Sequence, residues 1–210
     1  MKTITDISQL DLTESYTYAD YLTWQFTDRV ELFMGKIFKM SPAPSSRHQY
    51  SVSVIHATIF QFLKGKPCHV FPAPFDVSLP DSSGISKTVV QPDITVVCDP
   101  SKITEFGCNG APDLVVEVIS KSSVKKDLHE KYGIYEKAGV KEYWIVQPQD
   151  RSLIIFTLST AGHYQPSKPL TKGDTATSRV LPGLEIDLDE LFIDLVEEPQ
   201  EAYYQEVKRI

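Results

Sequence analysis

Two carboxylates occupy apolar stretches of the chain that are typical of buried strands. Asp93 lies within the run Val89–Cys98, and Glu117 lies within Leu114–Ile119. An ionised carboxylate in such a strand must be paired, neutralised or bound to a cation. If the two strands are neighbours, their carboxylates form an oxygen site that suits a hard cation such as Mg²⁺. The residues alone leave a second interpretation open, in which both carboxylates reach water at the strand ends.

Four further side chains are candidates for the same site. Asp76, in an adjoining strand, and Glu31, at the start of a hairpin, could supply more oxygens or contact the ligands. Gln91 shares a face with Asp93, because side chains alternate along a strand. His48 lies in the first turn of a predicted helix, whose start the preceding loop brings towards Glu31.

A polar stripe follows Glu117 on the next predicted helix. Asp127, Lys131 and Tyr135 stand four residues apart, so they share one face of the helix. If that face looks towards the strand ends, Lys131 aims its ammonium group at the carboxylates. The alternative is a solvated stripe held by a surface ion pair.

Three strands and one helix must position these residues. The runs Val89–Cys98, Leu114–Ile119 and Glu142–Val146 are rich in β-branched and aromatic residues, as strands are. A charged amphipathic segment of about five helical turns separates the last two runs. This order predicts a βαβ crossover in a sheet that is covered on both faces.

Shorter elements flank this core. The patterns predict helices over Thr17–Phe26 and Ser46–Lys64, a hairpin over Arg29–Met40, an edge or bulged strand over His69–Leu79, a hairpin over Arg151–Thr157 and Gly162–Gln165, and a strand with a short helix within Leu181–Leu195. We expect a single domain over residues 16–195, an N-terminal arm over 1–15 and a charged tail over 196–210.

The composition limits the function classes. With 41% hydrophobic and 23% charged residues, the chain of 210 residues is typical of a globular protein. No apolar run approaches the ~20 residues of a membrane helix, and the N-terminus lacks the apolar core of a signal peptide, so we expect a cytoplasmic protein without a membrane partner. The net charge of −7 argues against a protein that coats nucleic acid by charge alone. It does not argue against a metal-dependent enzyme, whose ligand carboxylates are themselves negative.

The cysteines predict neither a zinc site nor a disulfide framework. Cys68, Cys98 and Cys108 are an odd number and contain no CxxC pair. We therefore expect Cys98 to be a small buried hydrophobic residue.

The succession of motifs resembles the Uma-type family of restriction-endonuclease-like proteins, within the PD-(D/E)XK nuclease superfamily. The strings VELFMGKI, SPAPSSRHQ, FPAPFDVSLPD, QPDITVV, APDLVVEVIS and GVKEYWIV carry the resemblance, together with a K-x3-Y helix, from Glu31 to about Phe156. The resemblance implies an α/β (mixed α+β) fold with a restriction-endonuclease-like core, in which helices flank a mixed central sheet preceded by a helix and a hairpin. It implies hydrolysis of DNA phosphodiester bonds with Mg²⁺ or Mn²⁺.

The resemblance also implies roles for single residues. Asp93 matches the aspartate of the PD element, and Glu117 matches the glutamate of the second element; both would bind the metal ion. Glu31 and His48 match positions that line the same pocket. The superfamily's lysine normally stands two residues after the glutamate, where this chain has Ile119.

Because Ile119 cannot carry charge, the site must import a lysine. The superfamily lysine can move to the following helix, which makes Lys131 the predicted replacement. Lys121 falls in a predicted turn, and Lys125 and Lys126 fall in the first helical turn, where cations usually face solvent. We expect the Lys131 ammonium within roughly 3–6 Å of Glu117.

Two other function classes remain open. One is a nuclease-fold protein that acts as a binding or regulatory module, and the other is a metal-dependent hydrolase of small phosphates. We also expect a homodimer, since the edge strand around Phe71–Phe75 leaves surface to cover and restriction-type nucleases often pair their subunits.

Overall fold

The protein combines two large sheets with a few helices, as the structure, a computed structural model, describes it for residues 4–40, 45–119 and 130–195. The helices are α1 (Tyr18–Tyr21), α2 (Ser46–Leu63), α3 (Tyr132–Ala138) and α4 (Leu188–Leu191). The strands are β1 (Val30–Phe33), β2 (Lys36–Lys39), β3 (His69–Pro72), β4 (Asp76–Pro80), β5 (Ser86–Val90), β6 (Ile94–Val97), β7 (Ile103–Thr104), β8 (Gly107–Asn109), β9 (Leu114–Val118), β10 (Glu142–Gln147), β11 (Ser152–Leu158), β12 (Tyr164–Pro166), β13 (Thr175–Thr177) and β14 (Glu185–Asp187). The predicted mixed α/β class is confirmed.

The second sheet, with strand order β12-β11-β10-β9-β6-β3, contains the predicted crossover. Strands β9 and β10 are parallel, and α3 lies between them in the chain, so the predicted βαβ unit is confirmed. Every residue of β9 is buried, because the two faces of the strand pack into different apolar clusters. Val116 packs with α2 through Ile55 and Ile59. Val115, on the opposite face, packs with Tyr135 of α3.

The first sheet has the order β2-β1-β5-β4-β8-β7 and begins with the predicted hairpin. Met34 and Gly35 connect β1 to β2, and both have positive φ, 50° and 83°. Two such residues form the tight turn that matches the twist of paired strands. Glycine is required at position 35, because a Cβ there would collide with Ser15.

Two runs that were each predicted as one strand are divided between the two sheets. The predicted edge position of His69–Leu79 is confirmed for β3, the last strand of the second sheet. The run Val89–Cys98 forms the end of β5 in the first sheet and β6 in the second. His69–Leu79 likewise divides into β3 and β4. Both breaks contain prolines, which cannot donate a ladder hydrogen bond. Asp93 therefore precedes β6 instead of lying inside a strand, and it is half-buried.

The helices follow their predictions to different degrees. Helix α2 is confirmed, with Ser45 as its N-terminal cap. Helix α1 is shorter than predicted, although Thr17 does cap it, in a reciprocal pair with Asp20. Helix α3 ends at Gly139, in a left-handed conformation that suits glycine. Residues 120–129, with Asp127 and the lysines at positions 121, 125 and 126, lie outside the described residues.

The expectation of no disulfide is wrong, because Cys68 and Cys98 are bonded. Strands β3 and β6 pair antiparallel with His69 opposite Val97, so the two cysteines stand opposite each other one position further on. A separation of 30 residues gives no hint of this pairing in the sequence. Cys108 is a buried thiol, and burial raises its pKa to about 11.

The ends of the described chain attach to the sheets. In the predicted arm, the backbone oxygen of Ile4 accepts a hydrogen bond from Gln25, and Lys36 donates to backbone oxygens of Thr13 and Glu14. Strands β11 and β12 form the predicted hairpin, and β14 with α4 forms the predicted strand and short helix. The predicted tail, residues 196–210, lies outside the described residues. None of the described helices is long and apolar enough to cross a membrane.

Candidate active site

Glu117 stands at the centre of the candidate site. Its side chain leaves β9 on the face that looks towards α3, and it is almost completely buried. Glu117 Oε1 accepts hydrogen bonds from Lys131 Nζ at 2.7 Å and from the Tyr135 hydroxyl at 2.8 Å. Lys131 and Tyr135 are 4% and 0% exposed, so this part of the predicted stripe is not a solvated surface. The ammonium contacts Glu117 directly, at a distance slightly shorter than the expected range of roughly 3–6 Å.

A second carboxylate holds the same ammonium. Lys131 Nζ lies 3.2 Å from Glu31 Oε1. Glu31 is on β1 of the first sheet, with 1% of its surface exposed, and its Oε1 accepts a hydrogen bond from the backbone N–H of Gln91 at 3.0 Å. Lys131 thus connects the two sheets, because Glu117 belongs to the second sheet and Glu31 to the first.

Asp93 lies beside Glu117 in the second sheet, at the point where β6 begins. Strands β6 and β9 are antiparallel with Ile94 opposite Val116, which places Asp93 opposite Glu117 one position further. Asp93 Oδ2 accepts a hydrogen bond from the Val118 N–H at 2.8 Å. The structure therefore places Asp93, immediately before β6, opposite Glu117 of the neighbouring strand β9.

His48 approaches Asp93 from the first turn of α2. Its Nε2 lies 3.3 Å from Asp93 Oδ2, and the imidazole is buried. Its Nδ1 is buried and has no hydrogen-bond partner among the described residues. The Asp93 side chain keeps about a fifth of its surface exposed (21%), so solvent reaches this end of the site.

Asp76 does not occupy the predicted position. It begins β4, which pairs with β8 and with β5, and so with the Val89–Val90 part of the run that contains Asp93. Val77, the next residue, packs into the apolar cluster of Tyr135, and alternation turns Asp76 to the other face of the first sheet. There Asp76 Oδ1 accepts from Gln91 Nε2 at 2.7 Å and from the Tyr21 hydroxyl at 3.2 Å.

Gln91 joins this second network to the site. Its side chain binds Asp76, while its backbone N–H binds Glu31. Sequence patterns identified Gln91 as a neighbour of Asp93 but gave no sign of either bond. Tyr21 was missed entirely, since a tyrosine on a short helix carries no signal of a partner 55 positions along the chain.

Burial controls the protonation of the groups around the carboxylates. Burial, and next the charge of Glu117, raise the pKa of Tyr135 well above its ordinary value, so the hydroxyl remains a donor to Glu117. Burial also raises the pKa of Asp76, against hydrogen bonds from Gln91 and Tyr21 that lower it. Burial, and next the charge of Asp76, raise the pKa of Tyr21.

The carboxylates of the site have the chemistry of divalent-cation ligands. Glu31 and Glu117 share the ammonium of Lys131, and Asp93 contacts His48. Mg²⁺ is commonly bound by one or two carboxylates and keeps several waters. Asp93 and Glu117 can supply such a pair. Within the described residues, no group of three or more histidine, cysteine or acidic side chains is arranged to hold a metal ion on its own.

Comparison with known proteins places this chain in a family. A family model described as "Uma2: Putative restriction endonuclease" matches residues 18–189, which is most of the chain and contains every residue of the candidate site. The protein belongs to the Uma2 family. None of the curated proteins matches the chain significantly.

A solved structure shows the same fold as this Uma2 protein. The structure is titled as a putative nuclease belonging to DUF820 from Anabaena variabilis ATCC 29413. The match has a TM-score of 0.66 at 19% sequence identity and covers 84% of this chain and 97% of that one. At this identity the likeness shows that the two chains share a fold.

Proposed function

We propose that this Uma2 protein is a metal-dependent endonuclease that hydrolyses phosphodiester bonds of DNA, with Mg²⁺ or Mn²⁺ as its cofactor. The observation that carries the proposal is the position of Lys131. Ile119 occupies the place of the superfamily lysine, yet an ammonium from the start of α3 lies 2.7 Å from Glu117. The site therefore has an ammonium group beside Glu117 although the superfamily lysine itself is absent.

Each residue of the site has a chemical task in this proposal. Asp93 and Glu117 would hold the cation, which when bound polarises a phosphoryl oxygen and lowers the pKa of the attacking water. Lys131 stabilises negative charge that develops on the phosphoryl oxygens, and its burial makes that interaction stronger than it would be in water. Tyr135 orients Glu117 through its 2.8 Å hydrogen bond. His48 orients Asp93 through its Nε2, 3.3 Å from Oδ2.

Two observations favour a second candidate, a nuclease-fold binding or regulatory module. The net charge of −7 disfavours strong nonspecific attraction to DNA. In addition, Lys131 already neutralises Glu117, so the site has a stable arrangement without a cation. A third candidate for the same site is a hydrolase of small phosphates, because such an enzyme needs no basic surface to bind its substrate.

A substrate panel tests the proposal. Purified protein is incubated with supercoiled plasmid, single-stranded DNA and a small aryl phosphodiester, each with Mg²⁺, with Mn²⁺ and with a chelator. The proposal predicts cation-dependent cleavage of a polynucleotide and loss of cleavage in Lys131→Ala. Turnover of the small diester alone would favour the small-phosphate hydrolase. Absence of any turnover would favour the binding module.

A further inference from the structure

Among the described residues, Glu117 and Glu31 are both carboxylate partners of Lys131, and their surroundings differ. Glu117 Oε1 accepts two short hydrogen bonds, from Lys131 and from Tyr135, and Glu117 is also a proposed cation ligand. Glu31 Oε1 lies slightly further from the ammonium, at 3.2 Å, and is anchored by the backbone N–H of Gln91 at 3.0 Å. The two partners lie on different sheets, Glu117 on the second and Glu31 on the first.

A bound cation and the ammonium compete for Glu117. Magnesium–oxygen distances are about 2.0–2.1 Å, and two positive charges on one carboxylate repel each other strongly at such a range. When Glu117 binds a cation, Lys131 must therefore weaken its bond to that carboxylate. Among the described residues, Glu31 is an acceptor within reach, because its oxygen already lies 3.2 Å from Lys131 Nζ.

We propose that Glu31 is a positioning residue that takes over the Lys131 ammonium when Glu117 binds a divalent cation. The proposal rests on the cation site of the proposed function and assigns Glu31 a role outside the ligand set. Its anchorage to the Gln91 backbone fixes the receiving oxygen, so the ammonium moves by a short distance and remains in the site. Without Glu31, the ammonium would remain on Glu117 and oppose cation binding.

This role predicts an indirect effect of Glu31 on metal affinity. Glu31→Asp keeps the negative charge but withdraws the carboxylate from Lys131. In the presence of Lys131, this variant should bind Mn²⁺ about tenfold more weakly, the range seen when residues behind metal ligands are changed. With Lys131→Met no ammonium competes for Glu117, and the Glu31→Asp change should then alter affinity by less than about twofold.

The test is isothermal titration calorimetry with Mn²⁺ on four proteins: wild type, Glu31→Asp, Lys131→Met and the double variant. Near-ultraviolet circular dichroism checks that each variant is folded, and Glu31→Gln replaces Glu31→Asp if the latter does not fold. A loss of affinity that depends on Lys131 supports the proposal. An equal loss in both backgrounds would make Glu31 a direct ligand and overturn it, as would an unchanged affinity in Glu31→Asp.

This experiment separates the inference from the proposed function. If the four proteins show the predicted dependence on Lys131 but no protein cleaves DNA, the inference stands and the nuclease proposal fails. If wild type cleaves DNA but the loss of Mn²⁺ affinity is equal in both backgrounds, the nuclease proposal stands and the role of Glu31 is overturned.

Discussion

Replacing Lys131 with methionine removes the buried ammonium group that pairs with Glu31 and Glu117. The side chain is 5% exposed and lies within 3.2 Å of two carboxylates that are themselves 1% and 4% exposed. Breaking a buried ion pair by removing one partner costs about 3–5 kcal/mol, because the remaining charge is left without compensation. Methionine preserves most of the stem packing, so we expect the free energy of unfolding to fall by an amount in that range.

Lys141→Met is the matched control. Lys141 Nζ lies 2.7 Å from Asp113 Oδ1, the same distance that separates Lys131 from Glu117. Its side chain is 67% exposed, however, and Asp113 keeps a hydrogen bond from the Cys98 N–H at 2.7 Å. An ion pair with one exposed partner contributes at most about 1 kcal/mol.

Urea denaturation followed by circular dichroism, with a chelator present, measures both variants. The account predicts a much larger loss of stability for Lys131→Met than for Lys141→Met. Addition of Mn²⁺ should restore part of the loss in Lys131→Met, since a ligand that binds only the folded state stabilises it. If the two variants lose the same free energy of unfolding, Lys131 does not neutralise a buried cluster of carboxylates.

Three further predictions concern the rest of the molecule. Serine at both Cys68 and Cys98 removes a cross-link over 30 residues, and urea denaturation should show a loss of about 3–4 kcal/mol; wild-type stability in the double variant would contradict this. Burial raises the pKa of Asp76, so the folded state binds that proton more tightly than the unfolded state. The free energy of unfolding of wild type should therefore fall, relative to Asp76→Asn, as the pH rises from the ordinary value of 3.8 through the folded pKa. If urea denaturation shows a stability difference between wild type and Asp76→Asn that stays constant with pH, the pKa of Asp76 is not raised by folding. Analytical ultracentrifugation at micromolar concentration should show a dimer, and a species of monomer mass alone would rule it out.

The elements with strong local signals were predictable from the sequence. Helix α2 has apolar residues at helical spacing and a serine cap, and both are present in the structure. The β9–α3–β10 crossover follows from two apolar runs separated by an amphipathic segment. The lysine position was predicted from the resemblance to the nuclease superfamily, whose lysine can move to the following helix. The four-residue spacing that places Lys131 and Tyr135 on one face left a solvated stripe equally open.

The division of strands between two sheets was not predictable in the same way. Val89–Cys98 is apolar almost throughout, so nothing in its periodicity marks the change of sheet at Pro92. The same reasoning failed for Asp76, whose partners follow from pairing between β4 and β5. Contacts between distant segments, such as Glu31 with Lys131 and Cys68 with Cys98, depend on sheet order, which local patterns do not encode.

A plasmid-cleavage assay with Glu117→Gln shows whether Glu117 binds a catalytic cation. Glu142→Gln is the matched control, because Glu142 is a buried glutamate on the adjacent strand β10, bonded to Ser178 and distant in register from Asp93. With Mn²⁺ present, we expect wild type and Glu142→Gln to cleave the plasmid and Glu117→Gln to leave it intact. If Glu117→Gln cleaves at the wild-type rate, or if wild type still cleaves in chelator, then Glu117 does not hold a catalytic cation.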